Sequence, residues 1–284
     1  ELSDSQGRRL IEQHEIEHLP SAATLTLLQK ASPSSFAAGG DLALFADPVF
    51  HRLDPRLAAS SVSDASPGQD SQEPMEDADV LRSARDLGMA RLPRLPYTRQ
   101  EGEAILKLWS PENGFQAFDF RANRQQLLQL DLSRFRVLHF ATHALLHPRY
   151  PDLSGVVLSL VDQNGQPQAG FLRAHEIAGL NLNADLVVLS ACQTAMGKEV
   201  PGEGMIGLPQ SFLDAGVPRV VVSLWNVSDP ATAHLMHRFY SGMRENNLRP
   251  SAALRRAQLS LLEGERWHSP YYWAPFIYLG RHDP

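Results

Sequence analysis

Four stretches from Arg136 onward are almost continuously apolar, and they alternate with segments of helical periodicity. The apolar runs are Arg136–Ala141, Gly155–Leu160, Asp185–Ser190 and Arg219–Trp225. Such runs predict strands of a parallel sheet that is covered on both faces, because neither face then needs polar side chains. Helices are predicted between or after them, over Arg173–Leu180, Gly204–Ala215, Pro230–Glu245 and Ser251–Leu262. The alternation predicts a single α/β sandwich with a mostly parallel central sheet.

The rest of the chain adds shorter predicted elements. Strands are predicted over Ile16–Pro20, Leu42–Ala46 and Phe276–Leu279, and helices over Ser21–Lys30, Thr98–Trp109 and Asn123–Leu130. Thr98 and Glu101 have the spacing of a capping box, in which a hydroxyl and a carboxylate bond the first free N–H groups of a helix. This spacing predicts that a helix begins at Thr98.

Acidic charge is concentrated in one stretch. The chain has 284 residues, with 26 Lys and Arg against 32 Asp and Glu, so its formal net charge is -6. This balance argues against a nucleic-acid-binding protein, which normally carries a basic excess. Residues 58–80 hold six of the acids and no Lys, Arg or His, and they are rich in Ser, Pro and Gln. We predict a mobile acidic loop there, either a solvated insertion or a regulatory or cleavage loop.

The chain contains one cysteine and no apolar run of the roughly 20 residues that a membrane helix requires. No internal disulfide can form and no signal peptide is visible, so we expect a cytoplasmic protein. The chain begins with Glu1 rather than Met. We therefore expect residues 1–284 to be a single domain cut from a longer multidomain protein.

Two residues that could form a nucleophile and a base follow predicted strands. His143 comes after the strand that ends at Ala141, and Cys192 comes after the strand that ends at Ser190. If these strands are parallel neighbours, both side chains emerge at one sheet edge, where the chemistry of such sheets takes place. An imidazole within reach activates a thiol by taking its proton or pairing with the thiolate. Taken alone, each residue also has a structural interpretation, as a small buried hydrophobe and as a core histidine.

Five short motifs occur in one order along the chain. They are His139–His143 (HFATH), Leu186–Thr194 (LVVLSACQT), Gly202–Gly204 with Gly207–Leu208, Ser223–Val227 (SLWNV) and Tyr272–Phe276 (YWAPF). Together they resemble the CHAT family, caspase-like cysteine peptidases that are related to separase and often fused to tetratricopeptide repeats. The resemblance covers most of the chain. It implies a caspase-like three-layer α/β sandwich with a mostly parallel central sheet, a bacterial source and no cofactor.

The resemblance further implies a cysteine endopeptidase. Cys192 would attack the peptide carbonyl, His143 would act as general base and then acid, and water would hydrolyse the acyl-enzyme. The backbone N–H groups of Ala144 and Cys192 would bind the oxyanion. Related enzymes often have glycine in place of Ala144, which would be strained if that position required a positive φ. No third member of a triad is evident, and a backbone carbonyl could orient the ring instead.

Substrate recognition is less determined. Arginine-specific relatives use an acidic pocket residue, and the resemblance nominates Asp229, which could equally cap the helix that follows it. Asp152 is a second acidic candidate, or else a charge in a surface turn. Glu199 and Glu203 would line the cleft or be ordinary loop charges, and Trp225 would be pocket wall or core. We expect cleavage of protein or peptide substrates, with a preference for a basic residue before the scissile bond.

A metal site is disfavoured by spacing. His139 and His143 lie roughly 13 Å apart on an extended strand, which is too far for two ligands of one zinc ion. No Glu follows His143, as the helical zinc-protease motif would require. We therefore expect His139 to be a core residue or to support the site.

Control of activity and the alternative function also follow from the spacing and the resemblance. Only a short stretch separates Cys192 from Gly204, so we expect activation by an absent segment or an upstream repeat or sensor domain rather than by cutting after the cysteine. The alternative is a catalytically silent caspase-like interaction or scaffold module. An α/β-hydrolase esterase is disfavoured because the Gly-x-Ser-x-Gly elbow is absent.

Overall fold

The computed structural model describes residues 5–19, 41–60, 80, 84–85, 92–145, 153–193, 207–225 and 228–280, without the side chains of residues 58–60 and 191–193. The strands are β1 Glu17–His18, β2 Asp41–Ala46, β3 Gly114–Phe118, β4 Phe135–Leu145, β5 Gly155–Val157, β6 Phe171–Arg173, β7 Leu186–Gln193, β8 Arg219–Ser223 and β9 Phe276–Gly280. The helices are α1 Leu10–Gln13, α2 Pro55–Ser60, α3 Tyr97–Leu106, α4 Arg124–Gln129, α5 Ala174–Ala178, α6 Gly207–Asp214, α7 Asp229–Glu245, α8 Pro250–Leu262 and α9 Pro270–Trp273. Short 3₁₀ turns cover Pro111–Asn113, Asp119–Arg121 and Leu132–Arg134.

One sheet organises these elements, in the order β1-β9-β8-β7-β4-β2-β3. Strands β8, β7, β4, β2 and β3 run parallel, whereas β9 is antiparallel to β8 and carries β1 parallel to itself. Beyond the end of β2, the last two residues of β4 pair antiparallel with β5, which pairs with β6. The expectation of a mostly parallel central sheet is confirmed, and β4 and β7 lie in its interior.

Helices cover both faces of the sheet. On one face, Phe45, Phe140 and Leu189 pack with residues of α4, α5 and α6. On the other, Leu44 and Val188 pack with residues of α3, α7 and α8. Fully burying one such side chain contributes about 1.5–3 kcal/mol, so two interfaces without water explain why the central strands are mainly apolar. A third, smaller cluster lies beyond the carboxyl ends of the strands and includes Phe50, Leu92 and Leu145.

The two strands that carry the candidate chemistry are longer than predicted. Strand β4 continues to Leu145 instead of ending at Ala141, because β5 provides a new neighbour where β2 stops. Strand β7 continues to Gln193 instead of ending at Ser190. His143 and Cys192 therefore lie inside strands and not after them.

Other predicted elements differ in smaller ways. Strand β5 ends before Ser159, whose hydroxyl donates to the Asp119 carbonyl and accepts from the Val49 N–H. Strands β3 and β6 were not predicted, since β3 is an incompletely buried edge strand and β6 has only three residues. The predicted helix Ser21–Lys30 lies outside the described residues, and so does most of the acidic stretch, apart from its start in α2.

The predicted capping box at Thr98 is wrong. Helix α3 begins at Tyr97, and the Thr98 hydroxyl donates to the Leu95 carbonyl at 2.6 Å. Glu101 does not reach back to the helix start, because its side chain is fully buried and contacts His139. A residue that looked like a cap is therefore part of the core.

Candidate active site

The candidate nucleophile and base lie on adjacent parallel strands. In the pairing of β4 with β7, His143 is opposite Ala191 and Ala144 is opposite Cys192. Neighbouring strands are about 4.8 Å apart with a rise of about 3.3 Å per residue, so this offset puts the two Cα atoms roughly 6 Å apart. The predicted neighbourhood of the two strands is thus confirmed at the level of the backbone. The side chain of Cys192 lies outside the described part of the structure.

The register between these strands is irregular just before His143. Phe140 is opposite Leu189, yet His143 is opposite Ala191, so β4 contains one residue more than β7 over this interval. An extra residue in one strand bends it and changes the direction of the side chains that follow. The irregularity falls where the candidate base leaves the regular part of the sheet.

The imidazole of His143 is fully buried and has one hydrogen bond among the described residues. Its Nε2 lies 2.7 Å from the carbonyl oxygen of Pro93, and its ring lies 5.0 Å from that of Phe50. A carbonyl only accepts, so Nε2 must carry the proton and Nδ1 must carry the lone pair. Nδ1 is buried and finds no partner in the described part of the chain.

The surroundings of His143 favour its neutral form. Burial lowers the pKa of His143 to about 4, and the Pro93 carbonyl opposes that effect only in part. At neutral pH the ring is therefore an uncharged base with an open Nδ1. The expectation that a backbone carbonyl would orient the ring agrees with this contact.

Ala144 is paired on both sides, with Val156 of β5 and Cys192 of β7. It is extended, since the non-glycine residues with positive φ in the described ranges are Asp47, Asp119 and Asn247. The strain considered for alanine at this position does not arise. Cys192, by contrast, is paired with β4 alone in the described pairings, because the pairing of β7 with β8 covers only Val187–Leu189.

Beside His143, an ion-pair network closes the end of β2. Asp47 directly follows that strand, and its fully buried carboxylate accepts two bonds from Arg94, at 2.8 and 2.7 Å. Arg56 binds Asp47, Asp54 and Asp119, and its bonds to these carboxylates hold their charges in place. Sequence reasoning missed this network. Its only signal was a carboxylate immediately after a buried strand, which was interpreted as the end of the strand.

Asp229 is the first residue of α7, and Ser228 is the N-cap. Its carboxylate does not cap its own helix but accepts from the Tyr97 N–H, at 2.9 Å, at the start of α3. Burial raises the pKa of Asp229 to about 6, the Tyr97 N–H lowers it, and the charges of Glu101 and Asp47 raise it further. The carboxylate thus lies near two other acids, and the hydrogen bond that holds it comes from backbone.

Of the other candidate substrate-binding residues, the structure describes only Trp225. Trp225 is partly exposed rather than core, and its Nε1 donates to the Tyr271 carbonyl at 3.2 Å. Asp152, Glu199 and Glu203 lie outside the described residues, and so do residues 194–203 between β7 and Gly204.

His139 is a core residue, as expected. Both nitrogens are bonded, Nδ1 to the Tyr240 hydroxyl at 3.0 Å and Nε2 to Glu101 at 2.9 Å, and all three side chains are fully buried. In the described ranges no group of three or more His, Cys, Asp or Glu side chains is placed to hold a metal ion. Nor do these ranges contain a helix long and apolar enough to cross a bilayer.

The sequence profile described as CHAT domain matches residues 2–281. The chain belongs to the CHAT family. The resemblance carried by the five motifs is therefore confirmed, and this CHAT domain has the mixed α/β fold with a mostly parallel sheet that the family implies.

The matched relatives are much longer than this CHAT domain. It is 37% identical over 109 residues to tetratricopeptide repeat protein 28 of Mus musculus and 38% identical over 109 residues to that of Homo sapiens. Each match covers 38% of this chain and 4% of the relative. A crystal structure of the Saccharomyces cerevisiae separase–securin complex superposes over 94% of this chain and 14% of that one, with a TM-score of 0.51 and 12% identity. That similarity extends to the fold alone.

Proposed function

We propose that this CHAT domain is a cysteine endopeptidase that acts through Cys192 and His143. The observation that carries the proposal is Nδ1 of a buried, neutral His143, which is unprotonated, has no partner in the described part of the structure and lies one register position from Cys192 on the adjacent strand. A buried nitrogen without a partner normally costs stability, so its retention is consistent with a functional role. The family and the fold are compatible with this chemistry but do not establish it.

In the proposed reaction, Nδ1 takes the thiol proton and the sulfur of Cys192 forms a bond to the substrate carbonyl carbon. The carbonyl oxygen becomes an oxyanion and is bound by backbone N–H groups, foremost that of Cys192 and secondly that of Ala144. The imidazolium then returns the proton to the departing amine as the C–N bond breaks. Water, deprotonated by Nδ1, hydrolyses the thioester and restores the thiol. A cytoplasmic setting would keep such a thiol reduced.

We further propose that the substrate carries a basic residue before the scissile bond. Asp47 is already neutralised by Arg56 and Arg94, whereas the carboxylate of Asp229 is bonded to a backbone N–H. The cost of ionising Asp229 in this setting would fall if a substrate cation approached it. Trp225 would form part of the pocket wall. Asp152 and Glu203 remain proposed contributors.

One observation favours the alternative, a silent caspase-like interaction module. The side chain of His143 is 0% exposed, so a substrate must displace whatever covers it. If the domain is an enzyme, an upstream repeat or sensor domain would supply that displacement. The named relatives are tetratricopeptide repeat proteins, which supports this arrangement without establishing it.

The test is labelling of Cys192 by a peptidyl electrophile with a basic residue next to the warhead. We expect rapid labelling that His143→Ala slows strongly and Cys192→Ala abolishes. Labelling at the rate of a free thiol, with no dependence on His143, would favour the silent module.

The preference itself is tested with a diverse peptide library. Asp229→Asn keeps an acceptor for the Tyr97 N–H but removes the charge, so we expect it to lose the basic preference. Glu112→Gln is the control, because this exposed acid precedes β3 at the opposite end of the sheet. If Asp229→Asn still prefers a basic residue before the scissile bond, the role of Asp229 is purely structural, at the start of α3.

A further inference from the structure

The hydrogen bond that orients His143 is made to the carbonyl of Pro93, which lies in a loop. Pro93 is exposed and belongs to none of the described helices or strands. Nevertheless its carbonyl must stay within 2.7 Å of Nε2 to define which ring nitrogen is the base. Something else must hold this carbonyl in place.

The anchors lie on either side of Pro93. Leu92 is buried in the apolar cluster with Phe50 and Leu145. On the other side, the Pro93 carbonyl and the Arg94 N–H belong to one peptide group, which is planar. Restraining Arg94 through its side chain therefore restrains the plane that contains the carbonyl, and the proline ring fixes φ of Pro93, one bond before that plane.

Arg94 is held by a two-pronged contact. Its Nε and Nη2 donate to the two carboxylate oxygens of Asp47, at 2.8 and 2.7 Å. Paired bonds of this kind define the direction of the arginine as well as its distance. The hydrogen bonds to Asp47 raise the pKa of Arg94 despite partial burial.

Asp47 is itself firmly placed. Its backbone has a φ of 50°, which turns the chain sharply after β2, and aspartate tolerates this region better than most residues. Arg56 donates from Nη1 to the Asp47 carbonyl at 2.7 Å and lies 3.2 Å from its Oδ2. Arg56 is in turn bonded to Asp54 and Asp119. The Asp47 carboxylate, which accepts from Arg94, is thus held in a fixed position at the end of β2.

We propose that Asp47 and Arg94 are positioning residues that hold the Pro93 carbonyl against His143 Nε2 and so keep Nδ1 as the base of the site. The positional part stands on the described contacts, whereas its catalytic consequence rests on the proposed peptidase function. An ion pair that merely stabilises the fold would leave the protonated nitrogen of His143 unchanged when it is removed.

The experiment uses the whole chain, labelled with ¹⁵N, and follows the Nε2–H signal of His143 by NMR. We expect a slowly exchanging Nε2–H in the wild type, its loss in Arg94→Gln and Asp47→Asn, and partial protection in Arg94→Lys, which keeps the charge but not the two-pronged contact. Arg99→Gln is the matched control. Arg99 has the same 36% side-chain exposure and pairs with Asp119 and Glu103, without touching Asp47 or Pro93.

The second readout is the alkylation of Cys192 by iodoacetamide at pH 7. We expect Arg94→Gln to slow it by about 10-fold to 10²-fold and to lower kcat with little change in KM, since a misplaced catalytic group affects the chemical step. Retention of the protected Nε2–H in Arg94→Gln, or its equal loss in Arg99→Gln, would overturn the proposal. If instead the wild-type thiol reacts like a free one, the peptidase function fails while the NMR signal still decides whether the residues position His143.

Discussion

His139 and His143 lie four positions apart on β4, and both side chains are fully buried. His139 has both ring nitrogens bonded, to Glu101 and Tyr240. His143 has one nitrogen bonded, to a backbone carbonyl, and the other has no partner among the described residues. The same residue type in one strand thus has two different environments.

The difference shows what separates a structural histidine from a chemically available one. Burial alone does not distinguish the two histidines, because both rings are fully buried. The His139 ring supports the fold, since both of its buried nitrogens are paired. A ring with an open lone pair weakens the fold locally but can accept a proton. The contrast can be tested by replacing each histidine and by changing the pH.

Replacing His143 should affect activity far more than stability. If the proposed function holds, His143→Ala should lower kcat/KM by about 10³-fold, within the range that a general base contributes. Its free energy of unfolding at pH 7 should fall less than that of His139→Ala, because the buried ring loses packing against Phe50 and one hydrogen bond but leaves no buried acid without its partner. The measurements are peptide hydrolysis and urea unfolding. A loss of activity below tenfold would remove His143 from the proposed chemistry.

Replacing His139 should mainly reduce the stability of the fold. His139→Ala leaves the Glu101 carboxylate buried without its histidine partner, so we expect a loss of about 3–5 kcal/mol in the free energy of unfolding. Urea unfolding measures it. Adding Glu101→Gln should recover part of the loss by removing the buried acid. If His139→Ala and His143→Ala destabilise equally, the contrast drawn here is wrong.

Acid should weaken the fold through His143. Burial lowers the pKa of His143 to about 4 in the folded chain, while the unfolded chain has the ordinary value near 6.5. Between these values the unfolded state binds more protons, so stability is complete above pH 6.5 and falls toward pH 4, by up to about 3 kcal/mol. The slope of unfolding free energy against pH should be shallower in His143→Ala than in the wild type. His268→Ala, which removes an exposed histidine, should retain the wild-type slope.

The smallest effect is expected at Asp229. Its pKa in the folded chain is raised to about 6, mainly by burial, so its ionised form opposes folding at neutral pH. Asp229→Asn should therefore stabilise the fold at pH 7, by no more than about 1 kcal/mol because the side chain is partly exposed and solvent screens its charge. The gain should disappear below pH 4, where the carboxyl is neutral in both states. Thermal melts of Asp229→Asn and the wild type at pH 7 and below pH 4 measure this gain. A variant that is less stable than the wild type at pH 7 would contradict the prediction.

The amino-acid pattern alone was enough to predict a mostly parallel α/β sandwich and to identify the two candidate residues. Apolar runs at β4, β7 and β8 specify strands buried on both faces, because water-free surfaces on each side leave no polar positions to mark a face. His143 and Cys192 were identifiable because they follow such runs, and the order of five motifs indicated the family. These signals are local, so they can be read without knowing what packs against what.

The hydrogen-bond partners of each histidine, in contrast, depend on how the chain folds. Glu101, Tyr240 and Pro93 lie 38, 101 and 50 residues away from their histidines along the chain, and no local pattern relates such distant positions. For the same reason Thr98 and Glu101 resembled a helix cap, and Asp47 resembled the end of a strand. Hydrogen bonds to buried groups are satisfied by whatever the folded chain brings near, and that depends on how helices and loops pack over the sheet.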